Sequence, residues 1–105
     1  MLIEFDQEYL RELYEEGKAS DKKHRFQPQV VRGYQKAVKM LEKARRLEDL
    51  YCFKSLNYEA LSGNKKGRFS VRATEKYRVE FTVRRVGSEE VATLCILLEL
   101  SNHYD

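Results

Sequence analysis

The sequence predicts an α+β domain in which an N-terminal helical hairpin packs on a small antiparallel sheet. Three observations carry that reading. Apolar residues recur at helical spacing in the first half, at Tyr9, Leu10, Leu13 and Tyr14 and again at Val31, Tyr34, Val38, Leu41 and Ala44. The second half alternates instead. Phe69, Val71 and Ala73 oppose Arg68, Ser70, Arg72 and Thr74, and Tyr77, Val79, Phe81 and Val83 oppose Arg78, Glu80, Thr82 and Arg84. A final apolar run from Val91 to Leu100 supplies a strand for the middle of the sheet.

Taken in order, Met1 to Phe5 is short and mostly apolar, fit for an edge strand or an extended lead-in. Asp6 is placed to cap the first helix, with Glu8 in its first turn and Gly17 past its end. Residues 18–27 form a polar connection, and Pro28 suits the first turn of a second helix reaching about Arg46. The outer faces are acidic on the first helix and basic on the second, so the hairpin has complementary charges. Burial of the two stripes should hold it, since exposed pairs contribute only about 0–1 kcal/mol each. Glu48 to Phe53 reads as a further turn with Leu50, Tyr51 and Phe53 clustered. Ser62-Gly63-Asn64 breaks the chain before the strands, and Gly87-Ser88 marks the turn before the last one.

With 105 residues, 42% of them hydrophobic, there is enough chain for one core, so residues 1–105 read as a single domain. A formal net charge of +3 says little by itself, but the charge is unevenly distributed. Residues 4–21 carry seven acids against two bases, and residues 65–85 carry eight bases against two acids. A basic element in a nearly balanced protein is the footprint of a polyanion site.

Cys52 and Cys95 are far apart, and with His24 and His103 they make no metal-ligand spacing; no cofactor motif is present, so none is expected. Neither a leader-like apolar run nor a stretch near 18 apolar residues occurs, so a soluble, cytoplasmic protein away from membranes is expected.

The candidate site is the row of arginines on the outward strand face. Arg68, Arg72 and Arg78 would share that face, with Lys65 and Lys66 on the loop beside it and Arg84 farther along. Guanidinium forks hydrogen-bond phosphate oxygens better than ammonium groups do. An ordinary solvated sheet face has the same pattern, so both readings stand on these residues alone. The loop Ser62-Gly63-Asn64-Lys65-Lys66-Gly67 lacks the Gly-Lys-Ser/Thr ending of a P-loop, which argues against a nucleoside-triphosphate site. His103-Tyr104-Asp105 offers acid, base and stacking groups, or is simply a frayed end. His24 reads as a surface residue.

Leu56, Leu61, Gly63, the Lys65-Lys66 pair, Gly67, Phe69-Ser70-Val71-Arg72 and Tyr77-Arg78-Val79 resemble the signature of HigB-type toxins, in the RelE/ParE superfamily of toxin–antitoxin modules. The resemblance covers about residues 52–105, and the preceding hairpin is similar in architecture. It implies a RelE/ParE-like fold and a ribosome-dependent endoribonuclease that cuts mRNA in the ribosomal decoding site, against ribosomal RNA. It also implies neutralisation by a co-encoded helix-turn-helix antitoxin. The implied chemistry is attack of a ribose 2′-hydroxyl on the adjacent phosphate without a metal.

By the same resemblance, Arg72 and Arg78 would stabilise transition-state charge, Lys65, Lys66 and Arg68 would position RNA or ribosomal RNA, and Tyr104 would stack on the scissile nucleotide. Many members end in Asp-Tyr-His, whereas this chain reads His103-Tyr104-Asp105, so the proton acceptor is either His103 or Asp105. Two alternatives are a ParE-like relative that inhibits DNA gyrase, and a non-catalytic RNA-binding module on the same face.

Overall fold

In the computed structural model, which describes residues 1–87 and 92–102, strand β1 (Leu2–Phe5) leads into helix α1 (Glu8–Glu15) and helix α2 (Pro28–Lys43). Strands β2 (Glu59–Ala60), β3 (Phe69–Arg72), β4 (Tyr77–Val86) and β5 (Ala92–Asn102) follow. Short 3-10 turns at Lys22–His24, Leu47–Cys52, Lys54–Leu56 and Gly63–Lys65 fill the connections. The sheet order is β1-β5-β4-β3-β2, antiparallel from β2 to β5. The N-terminal stretch is an edge strand, and it pairs parallel to β5, which makes the sheet mixed. The turn expected at Gly87-Ser88 falls partly outside the described residues, as does Val91.

The two helical stripes bury as their spacing requires. Tyr9, Leu10 and Leu13 of α1 and Val30, Val31, Tyr34, Ala37, Val38 and Leu41 of α2 meet Val71, Val79, Phe81, Cys95, Leu97 and Leu100 of the sheet. Burying an aliphatic side chain of this size contributes about 1.5–3 kcal/mol relative to leaving it exposed. The hairpin is also closed by polar contacts: the Tyr34 hydroxyl, buried, donates to the Leu10 carbonyl at 2.7 Å, and Gln35 Nε2, half-buried, to that of Leu13 at 3.1 Å. The complementary outer charges of the helices do not pair. Among the described residues no ion pair joins α1 to α2; Glu8, Glu15 and Glu16, at the end of the helix, pair instead with Arg11 of α1.

Three local expectations are corrected. The residue preceding α1 is Gln7, not Asp6, and it caps without its side chain; the Asp6 amide instead donates to the Leu97 carbonyl, extending the β1–β5 pairing. Helix α2 stops at Lys43, since Ala44 is extended and the Arg45 and Arg46 amides turn to Asp49 Oδ2 at 2.9 and 3.3 Å. Leu50 is buried as expected, whereas Tyr51 is 69% exposed and rests edge-on against Tyr58.

One glycine has a packing reason. A Cβ on Gly33 would stand 2.2 Å from the Ala73 carbonyl oxygen, so a bare Cα lets α2 lie directly on the turn between β3 and β4. That close approach fixes the end of β3, where Arg72 sits.

An irregularity in β5 decides what the opposite face of the sheet displays. Glu80 pairs with Glu99 and Phe81 with Leu97, leaving Leu98 as the extra residue of a bulge. Without it, strict alternation would put Leu97 and Leu100 on opposite faces. With it, both are buried in the core, and Glu99 and Ser101 stand across from Glu80 and Arg78. The Leu98 carbonyl is satisfied by Gln7 Nε2 at 3.0 Å.

Candidate active site

The face of the sheet turned away from the helices is assembled by strand register. Arg72 pairs with Arg78, Ser70 with Glu80, and Glu59 with Ser70, so these side chains share one side of β2, β3 and β4. Arg68 joins them from the residue before β3, and Lys65 reaches in from the 3-10 turn Gly63–Lys65. The expected arginine row is thus present, with acids threaded through it.

Arg78 is the more enclosed of the two central arginines, its side chain 11% exposed. Its NH2 lies 2.7 Å from Glu59 Oε1, and its NH1 donates to the Ser70 hydroxyl at 2.8 Å and to the Asn57 carbonyl at 3.4 Å. Asn57 holds a left-handed backbone (φ 46°), a conformation that asparagine tolerates better than most residues, at the end of the turn Lys54–Leu56. Arg72 is different. Its side chain is 44% exposed, and among the described residues its one carboxylate neighbour is Glu75, 3.9 Å away and itself 87% exposed. Like charges directly opposite on a sheet repel, and Glu59 relieves the pair by holding Arg78. Arg72 keeps most of its charge available to solvent.

Glu80 is the residue that sequence reasoning passed over. It is one of the outward-alternating positions, yet it is only 4% exposed. Its Oε2 accepts from Lys65 Nζ at 2.7 Å and from the Ser101 hydroxyl at 2.8 Å, and its Oε1 accepts from Arg68 NH1 at 3.1 Å. Arg68 also approaches Glu99 at 3.7 Å. Burial pushes the Glu80 carboxyl up, but the hydrogen bonds from Lys65, Ser101 and Arg68 outweigh it and hold the group below its ordinary range. The signal available beforehand was a lone acid two residues after Arg78 in a strand otherwise edged with cations.

Two other candidates, Lys66 and Arg84, make no contact with this cluster. The Lys66 side chain is exposed and has no partner among the described residues. Arg84 is exposed opposite Leu94, six residues along β4 from Arg78 and so about 20 Å away. His103, Tyr104 and Asp105 lie outside the described residues; they follow directly on Asn102, whose partner in the sheet is Tyr77, the neighbour of Arg78. A cleft of about 270 Å³ on the α2 side of the sheet is lined by Lys36, Met40, Ser55, Leu56, Arg72 and Ala73.

His24 is not a plain surface residue. Its ring stacks on Tyr9 with centroids 3.6 Å apart, and its Nδ1 is 2.9 Å from Asp21. It lines a separate cleft of about 520 Å³ with Lys18, Ser20, Arg25 and Phe26, away from the arginine row. Among the described residues no group of three His, Cys, Asp or Glu could hold a metal ion.

The arrangement can hold an oxyanion against Arg72 while Arg78 stays fixed behind it. Residues 3–95 match the family model of the HigB-like toxin, described as the RelE-like toxin of the type II toxin–antitoxin system HigB. Among solved structures the chain is similar to a YoeB/ParE toxin from Agrobacterium tumefaciens, with a TM-score of 0.54 and 17% identity, covering 99% of this chain and 100% of that one. At that identity the likeness speaks for the fold. No curated protein matches the chain.

Proposed function

The chain belongs to the HigB-like family of RelE-like toxins of type II toxin–antitoxin systems, and from that membership we propose that it is a ribosome-dependent mRNA endoribonuclease. A toxin of this class has an antitoxin partner; we take that partner to be a helix-turn-helix protein. No helix among the described residues is long and apolar enough to cross a membrane, and the proposed place of action is the cytoplasm, on mRNA in the ribosomal decoding site.

The observation that carries the proposal is the contrast between the paired arginines: Arg78 is locked by Glu59 and Ser70, while Arg72, opposite it, is exposed with, among the described residues, only a distant, solvated acid beside it. A cation that is not neutralised within the protein, held beside a fixed one, suits a site where negative charge develops on a phosphoryl group.

In the proposed reaction a ribose 2′-hydroxyl gives up its proton and attacks the adjacent phosphorus. The five-coordinate phosphorane carries added negative charge, which Arg72 meets first, with Arg78 behind it. The bond to the 5′-oxygen then breaks, that oxygen takes a proton, and the products are a 2′,3′-cyclic phosphate and a 5′-hydroxyl. The proton acceptor is assigned to His103 or Asp105 and nucleotide stacking to Tyr104, on the sequence resemblance. Lys65, Lys66, Arg68 and Arg84 would contact RNA or ribosomal RNA, with Lys66 and Arg84 holding the charge least committed among the described residues.

The test is cleavage of a defined mRNA in a purified translation system, with and without ribosomes. Wild type should cut only with ribosomes, and Arg72→Ala should lower the rate by about 10²- to 10³-fold, the usual cost of removing one group that stabilises an oxyanion. Absence of cuts by folded wild type, together with inhibition of gyrase supercoiling, would replace this reading with the ParE-like one.

A further inference from the structure

Glu80 and Ser70 are the buried polar side chains of the described residues, and they stand opposite each other in register on the arginine face. A buried carboxylate persists only when its charge is paired and its lone pairs are used. Glu80 meets that demand with donors from three separate segments: Lys65 from the turn before β3, Arg68 from the entry to β3, and Ser101 from the end of β5. The carboxylate accepts three hydrogen bonds and is 4% exposed, so an incoming RNA meets Lys65 and Arg68 and not Glu80. It is not placed to accept a proton from a ribose.

Resting on the reading of this face as an RNA site, we propose that Glu80 is a positioning residue. Its charge holds Lys65 and Arg68 at fixed points beside Arg72 and Arg78, and draws Ser101, two residues before His103, onto the same face. The same charge weakens RNA binding, because two of the face's cations are already satisfied. Glu80 therefore trades affinity for geometry. The β5 bulge is part of the device, since it turns Ser101 toward this face.

The proposal separates from a purely structural role by its sign. Glu80→Gln keeps the shape, removes the charge and releases both cations. It should bind a single-stranded RNA carrying 2′-O-methyl groups, which lack the nucleophile, more tightly than wild type. The log-affinity should fall more steeply with log salt, by up to about 0.7 per additional phosphate contact. Its ribosome-dependent cleavage rate at saturation should fall by about 10²-fold, the scale set by an ångström of misplacement. Glu80→Asp, which keeps the charge on a shorter side chain, should hold affinity and salt slope near wild type while lowering the cleavage rate, and if Glu80→Gln does not fold, an unchanged cleavage rate in Glu80→Asp overturns the proposal.

Unchanged affinity and salt slope in Glu80→Gln overturn the proposal, as does tighter binding with an unchanged cleavage rate. If wild type itself cuts nothing, the nuclease reading fails on that arm, and the affinity and salt slope still decide whether Glu80 restrains Lys65 and Arg68.

Discussion

The Arg78 guanidinium is held 2.7 Å from the Glu59 carboxylate, on the strand face where Arg72 stands opposite it. Removing Arg78 also strips the partner from the Ser70 hydroxyl, which is fully buried. Leaving a buried polar group unsatisfied costs about 1–3 kcal/mol. Arg78→Ala should therefore lower unfolding free energy by about that amount in urea titrations. Arg72→Ala should stay within about 0.5 kcal/mol, as surface substitutions usually do. Equal losses in the two variants would contradict the division between a fixed and a free arginine.

The two loop lysines should behave unequally although they are adjacent. Lys65 Nζ is bound to Glu80, whereas the Lys66 side chain has no partner among the described residues. A cation already paired releases fewer counterions from RNA. Lys66→Ala should flatten the salt dependence of single-strand binding by about 0.7 log units, and Lys65→Ala should flatten it less. RNA titrations at several salt concentrations test this, and a larger effect at Lys65 would refute it.

Period-2 alternation was enough to place Arg68, Arg72 and Arg78 on one face, and 3.6-residue spacing was enough to find both helices, because burial enforces those periods. What stayed hidden depends on contacts between segments. The parallel pairing of β1 with β5 leaves no local mark on Leu2–Phe5. The bulge is concealed by Leu97-Leu98, since two adjacent leucines read as one apolar run until their partners on β4 are known. Gly33 looks like a weak point in a helix until the Ala73 carbonyl is seen against it. Glu80 alternates as an outward residue should, and only Lys65, Arg68 and Ser101 closing over it make it buried.

The same carboxylate sets a pH dependence whose sign follows from its surroundings. Burial alone would raise the Glu80 pKa, and the donors Lys65, Ser101 and Arg68 bring it below the ordinary 4.5. A carboxyl held lower in the folded than in the unfolded protein binds fewer protons when folded. Its stabilising contribution is therefore complete above about pH 4.5 and is lost as pH falls through the lower folded value. Glu8, beside Arg11, and Asp21, beside His24, are also held low and act in the same direction from the exposed surface. They remain in Glu80→Gln, so subtracting that variant isolates the buried group. Thermal unfolding followed from neutral to acid pH should show wild type falling more steeply than Glu80→Gln below about pH 4.5, with the gap between the two curves narrowing as the carboxylate is protonated. Parallel curves over that interval would mean that the Glu80 carboxylate is no better solvated in the folded protein than in the unfolded chain, and that the Lys65–Glu80–Arg68 cluster is not held together by charge.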